Sequence, residues 1–212
     1  MSVNKLILVW DCPVRVFHWL LVVCFAGAWL SSESERYQLI HYAFGYSACL
    51  LVLIRIFWGF VGTRYARFSE FVKSPQTIRK HLNGLLGGHT HKVVGHNPAG
   101  ALVMIVMMTI MLLITLTGYL SVKGYLGDLM GEIHEVIANV ALGLVALHVA
   151  AALVMSLMQK ENLVKAMVTG NKVGRPRQGI RYPQYAIGLL ILINTVYFFW
   201  LISSGKMPSL TT

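Results

Sequence analysis

The stretch IHEVIANVALGLVALHVAA, Ile133–Ala151, decides the fold class. It is apolar enough for lipid, yet it carries two histidines, His134 and His148, 14 residues apart. At about 100° per residue that spacing is roughly 40° short of four full turns, so both imidazoles share one helix face, about 21 Å apart along the axis. The apolar run continues to Met158 with Glu135 as its only charge, and about 20 such residues suffice to cross a bilayer. An ionisable side chain inside a span is costly and points first to function.

Working outward, the 212-residue chain is 56% hydrophobic and only 12% charged, against about 25% charged in a soluble domain. Five segments read as spans: Val14–Leu30, Ile40–Val61, Pro98–Val122, Ile133–Met158 and Tyr185–Ser204. The sequence therefore predicts an all-α integral membrane protein. The third span, PAGALVMIVMMTIMLLITLTGYLSV, has no charge at all; Asn97 is placed to cap it and Pro98 to occupy its first turn. The fifth ends in Tyr197, Phe198, Phe199 and Trp200, as befits a membrane interface. Lys5, an apolar run and the small residues Ala26–Ala28 imitate a secretory signal. Asp11, Pro13 and Arg15 interrupt it, and its apolar core holds His18, Trp19 and Trp29, so the first span is expected to be retained.

Orientation follows from the basic residues. Lys5 and Arg15 precede or open the first span; Arg64, Arg67, Lys73, Arg79, Lys80 and Lys92 lie in the second connection; Lys160, Lys165, Lys172, Arg175, Arg177 and Arg181 lie in the fourth. The other side has Arg36 beside Glu33 and Glu35, Lys123 beside Asp128, Glu132 and Glu135, and Lys206 in the tail. The N-terminus is thus predicted to be cytoplasmic and the C-terminus outside. The net charge of +10 is a topology signal, and no nucleic-acid partner is expected.

Cys12, Cys24 and Cys49 imply no disulfide framework, and no C-x-x-C-H, Walker, GxGxxG or zinc motif occurs. No soluble domain is expected. Within the long second connection SPQTIRKHLNGLL reads as an amphipathic helix on the inner surface, ENLVKAMVTGNK as a second such element, and GNKVGRPRQGIRYP as a basic, Gly/Pro-broken linker.

The eight histidines carry the chemistry. His81, His89 and His91 sit in the polar inner loop, where solvation is the simplest reading and metal binding by HTH the alternative. His96 stands at the inner start of the third span. His18, His41, His134 and His148 lie in or at the ends of spans. In the predicted topology His41 and His134 fall at the outer level, and His18 and His148 at the inner level. Taken singly, a histidine at a helix end is ordinarily a headgroup residue. Two pairs at two depths, each across two helices, are what two stacked bis-histidine haems require, because neutral imidazoles in both axial positions favour electron transfer. Gly45, one turn beyond His41, and Gly143, between His134 and His148, are expected to admit a macrocycle edge. Arg55, again 14 residues after His41, and Arg15, one turn before His18, are candidates for inner-haem propionates, although an Arg near a helix end often only snorkels.

The motifs VWDCPVRVFHW (Val9–Trp19), HYAFGYSACLLVLIRIFWGFVGTRYARFSEF (His41–Phe71), GHNPAG (Gly95–Gly100), TG (Thr117–Gly118), IHEVIANVALGLVALHVAA and ENLVKAMVTGNK (Glu161–Lys172) are together specific. The chain resembles the bacterial cytochrome b561 family, in the branch that includes the b-type cytochrome subunit of nickel–iron hydrogenases. The resemblance covers the first four spans and implies a four-helix bundle binding two haem b groups at residues 1–172; the basic linker and fifth transmembrane helix at 173–212 depart from the simplest four-helix members and are read as a place for a partner to dock. The family's ligands fall on His18, His41, His134 and His148. The resemblance also implies an electron-transfer protein, alone or as subunit of an oxidoreductase complex in the bacterial inner membrane. Electrons would pass between the quinone pool and a periplasmic redox partner, a c-type cytochrome or a hydrogenase. Quinone is expected near Arg15, His96 and Asn97. The alternatives are a stand-alone quinone-coupled oxidoreductase acting on a species such as superoxide, and a haem-free, histidine-lined metal or proton transporter.

Overall fold

The computed structural model of the chain describes residues 5–72, 74–86 and 93–211. His89 and His91, with Lys73 and Lys92, lie outside the described residues. Five helices are long and apolar enough to cross a membrane: α1 (Cys12–Ser31), α2 (Gln38–Val61), α5 (Pro98–Val122), α6 (Leu129–Gln159) and α8 (Tyr185–Ser203). The architecture is the all-α, multi-pass fold that the sequence predicts. Between α2 and α5 lie the short α3 (Phe68–Phe71) and α4 (Pro75–Leu86), and α7 (Leu163–Thr169) follows α6.

Local chemistry explains the helix starts. Asp11 caps α1 by accepting from Val14 N at 2.9 Å, with Pro13 in the first turn. Asn97 caps α5 by accepting from Gly100 N at 2.6 Å, with Pro98 opening the helix. Helix α6 is longer at both ends than its apolar run. Its 31 residues rise about 46 Å, more than the roughly 30 Å of a hydrocarbon core, and Lys160 ends it in the left-handed conformation at φ 50°.

One core joins all five spans: Phe17 and Cys24 of α1, Leu51 and Val52 of α2, Met108 and Met111 of α5, Ala141 of α6 and Ile191 of α8. Helix α8 is therefore part of the bundle. It packs on α1 and α2 through Gly188, Ile191, Thr195 and Ile202, and a side chain at Gly188 would run into Cys12 Sγ.

The linker before α8 is more ordered than a Gly/Pro-broken tether. Its first residues form a strand, β2 (Asn171–Gly174), antiparallel to β1 (Lys5–Leu8), pairing Lys5 with Gly174 and Leu8 with Asn171. The ENLVKAMVTGNK stretch is accordingly part helix and part strand, with Gly170 between them at φ +83°. Val9 N and Trp10 N both donate to Gly170 O, at 2.8 and 3.0 Å, and a Cβ on Gly170 would meet Trp10 O at 2.6 Å. Below this ribbon Ile7, Val9, Trp10, Val14, Tyr65, Ala66 and Ala166 form a second, separate core. It covers the basic end of the bundle, the end that carries the N-terminal strand. The opposite, acidic end holds the α1–α2 and α5–α6 connections.

Candidate functional site

At the acidic end α2 and α6 bring His41 and His134 together. Their ring centroids are 6.0 Å apart and the planes cross at 79°. Each ring is fixed by a helix backbone. His41 Nδ1 donates to Ala28 O of α1 at 2.8 Å, and His134 Nδ1 donates to Ile114 O of α5 at 2.9 Å. A carbonyl can only accept, so each Nδ1 carries the proton and each Nε2 keeps its lone pair for a metal. Toward the basic end His18 and His148 are electrostatic neighbours. His18 Nδ1 is buried without a hydrogen-bond partner. His41 and His134 thus meet across α2 and α6, and His18 and His148 lie near enough across α1 and α6 to interact electrostatically.

These residues fit a haem. With their ring centroids 6.0 Å apart and both Nε2 lone pairs unspent, His41 and His134 would be able to hold a haem iron between them, and haem b would supply one-electron chemistry there. A Cβ at Gly45 would meet nothing within 4 Å, on the face that carries His41. The inward stripe of α6 (His134, Ala138, Ala141, Val145, His148) has small residues between its histidines. Gly143 does not line this space. Nine residues from His134 place it about 180° round the helix, and it is exposed on the outer side of α6.

The remaining candidates gather at the basic end. Arg55 is 1% exposed, its Nη1 has no partner, and its guanidinium lies over Phe68 and Phe71 at 5.6 and 5.9 Å. Arg15 Nη1 donates to Val168 O at 2.7 Å, capping the end of α7, while its buried Nε has no partner. Asn97 spends its Oδ1 on the cap of α5. His96 is held between Trp10 and Phe71, with ring centroids at 4.6 and 4.7 Å, and its Nδ1 has no partner. Burial, with the cations Arg55 and Lys172 nearby, lowers His96 from 6.5 to about 3, so it is neutral at pH 7.

Asp11 is the residue whose importance composition concealed. It is 1% exposed. Besides capping α1, its Oδ2 accepts from Trp58 Nε1 at 3.0 Å and from Thr63 Oγ1 at 2.6 Å, and its charge acts on Arg55. The sequence signal was present: a lone acid just before Pro13 at a helix start. Lys172 is likewise buried, donating to Val93 O at 2.9 Å and facing Glu161 at 3.8 Å. Among the described residues no group of three or more His, Cys, Asp or Glu gathers to hold a metal ion; the histidines come in twos.

Residues 9–170 match the family model described as prokaryotic cytochrome b561. The chain belongs to the prokaryotic cytochrome b561 family. Its cofactor class is therefore haem b. The chain is 24% identical to the probable Ni/Fe-hydrogenase B-type cytochrome subunit of Rhizobium leguminosarum bv. viciae, over 80% of this chain and 90% of that protein. It is 28% identical to the probable Ni/Fe-hydrogenase 1 B-type cytochrome subunit of Escherichia coli (strain K12), over 52% of this chain and 58% of that one. No solved structure matches it.

Proposed function

We propose that this b561-family chain is a two-haem electron carrier of the bacterial inner membrane. It exchanges electrons between a periplasmic redox protein and the quinone pool. His41 and His134 hold the haem at the acidic end, and His18 and His148 hold the one at the basic end. The reading rests above all on the 6.0 Å His41–His134 approach with both Nδ1 protons spent on helix carbonyls. Haem b ligated on both faces supplies one-electron chemistry without an open coordination site.

The basic residues of the N-terminus and of the second and fourth connections support a cytoplasmic basic end and a periplasmic C-terminus. The periplasmic partner is read from the relatives, which are named as hydrogenase cytochrome subunits. A c-type cytochrome is the other candidate, and the exposed Glu33, Glu35, Asp128, Glu132 and Glu135 suit a basic surface. At the cytoplasmic end Arg55, with a free Nη1, and Arg15, through its Nε, are assigned to propionates. His96, neutral and flanked by two aromatic rings, is assigned to the quinone head, with Asn97 beside it.

The test is a haem assay on the purified chain. Wild type should bind two haem b groups per chain, and His134→Ala and His18→Ala should each keep one, with different reduced spectra. A colourless wild-type protein would sink the reading in favour of a haem-free transporter. Two haems that quinol cannot reduce or reoxidise would remove the quinone half of it.

A further inference from the structure

The Thr117–Gly118 pair marks α5 in the sequence, and the ligand geometry alone leaves it unused. The carbonyl that receives His134 Nδ1–H, Ile114 O, also accepts from Thr117 Oγ1 at 3.0 Å. That hydroxyl is shared with Leu113 O at 2.9 Å and stands 3.4 Å from His134 Nδ1 itself. Gly118 supplies the room. A Cβ there would lie 3.0 Å from both Cε1 and Nδ1 of His134, so the ring would have to move by about a few tenths of an ångström against its bond to the carbonyl.

The same device recurs on α1. Ala28 O receives His41 Nδ1–H at 2.8 Å and also accepts at 3.2 Å from Ser31 Oγ, a hydroxyl shared with Gly27 O at 2.6 Å. In both cases the hydroxyl is three residues beyond the carbonyl and buried. Ala28 O lies in the last turn of α1, and Ser32 N–H turns instead to Trp29 O, so the carbonyl is free for these two donors. The basic end has no counterpart at His18, whose Nδ1 is without a partner.

We propose that Thr117, Gly118 and Ser31 are positioning residues for the acidic-end haem, on the two-haem reading above. They fix both ligands in one tautomer and set how strongly each imidazole pushes electron density onto iron. A carbonyl that pulls on Nδ1–H makes Nε2 a stronger donor and favours the oxidised metal, while a second donor on the same carbonyl weakens that pull. Gly118 keeps the bond short by leaving the ring its place.

Neighbouring substitutions should therefore act with opposite signs. Thr117→Val frees Ile114 O for His134 and should lower the midpoint potential of the acidic-end haem; Ser31→Ala should do the same through His41. Gly118→Ala displaces the ring and should raise that potential and shift the low-spin ferric EPR signal. Thr117→Ser should restore the wild-type value, and the basic-end haem should not move in any variant. General destabilisation would move Thr117→Val and Gly118→Ala in the same direction, and that result overturns the proposal, as does no shift in Thr117→Val and Ser31→Ala. Nitrogen-15 NMR of His134 and His41 in the haem-free chain separates the two ideas. Nδ1–H tautomers are expected there, and Nε2–H tautomers would defeat this inference while leaving the two-haem reading intact. A wild-type chain that binds no haem would instead defeat that reading.

Discussion

The two ends of the bundle are built on different principles. At the acidic end, His41 and His134 hang on carbonyls of α1 and α5, so transmembrane helices alone orient them. At the basic end the chemistry sits under a lid assembled from distant segments: β1 and β2, the turn at Arg64–Ala66, α3 and α7. The forces differ too. Helices in lipid gain little from excluding water and associate by close packing, whereas the small core around Val9, Trp10 and Tyr65 lies beyond the spans, where burial of apolar surface stabilises at about 25 cal/mol per Å². The acidic site should therefore survive damage that dismantles the basic one.

Asp11→Ala is the strongest way to break that distinction. It removes the cap of α1, leaves Trp58 Nε1 and Thr63 Oγ1 without their acceptor, and strips the carboxylate whose charge acts on buried Arg55. Each buried donor left without its acceptor costs about 1–3 kcal/mol. The loss should appear in detergent unfolding followed by Trp fluorescence, and the spectrum of the acidic-end haem should persist. Equal loss at both ends would mean that the bundle is one cooperative unit.

Most of the bundle was legible because helix periodicity and hydropathy act locally. The face shared by His134 and His148, the capping of α5 by Asn97 and the depth pairing of four histidines all follow from spacing. Gly143 shows the limit of reading by proximity: it lies between His134 and His148 in sequence and half a turn off their face. The β1–β2 ribbon was not legible, since its four-residue strands are joined only by tertiary contact. A pairing between Leu8 and Asn171 leaves no periodic trace. Asp11 looked like an interruption of an apolar run because its partners, Trp58 and Thr63, are supplied by the far end of α2. The docking of α8 on α1 and α2 was likewise hidden, since an all-round apolar helix does not announce which face it buries.

A smaller effect, confined to the basic end, is expected from acid. Folded His96 takes a proton only near pH 3, whereas an exposed imidazole does so near 6.5. Between those values the unfolded chain binds more protons, so stability rises with pH. The contribution is complete above about pH 6.5 and is lost progressively as pH falls toward the folded value. Trp10 packs against His96, so its fluorescence should report the loosening of this end first. His96→Gln should flatten the slope between pH 6 and 4, set here as roughly the window of imidazole titration. An unchanged slope would assign the acid sensitivity to another group.

The smallest effect should come from a solvent-exposed ion pair at this end. Arg64 Nε lies 3.5 Å from Glu70 Oε2, with side chains 52% and 36% exposed. Exposed pairs of this kind are worth about 0–1 kcal/mol and are screened by salt. Glu70→Gln should therefore change the unfolding midpoint little, and less still as salt is raised. The contrast with Asp11 sharpens what holds the basic end together. Both residues are acids within the same lid, but one is surrounded by donors out of water and the other shares its cation with solvent. If Glu70→Gln cost as much as Asp11→Ala, charge alone would be organising this end, and the buried hydrogen-bond hub at Asp11 would not be its keystone.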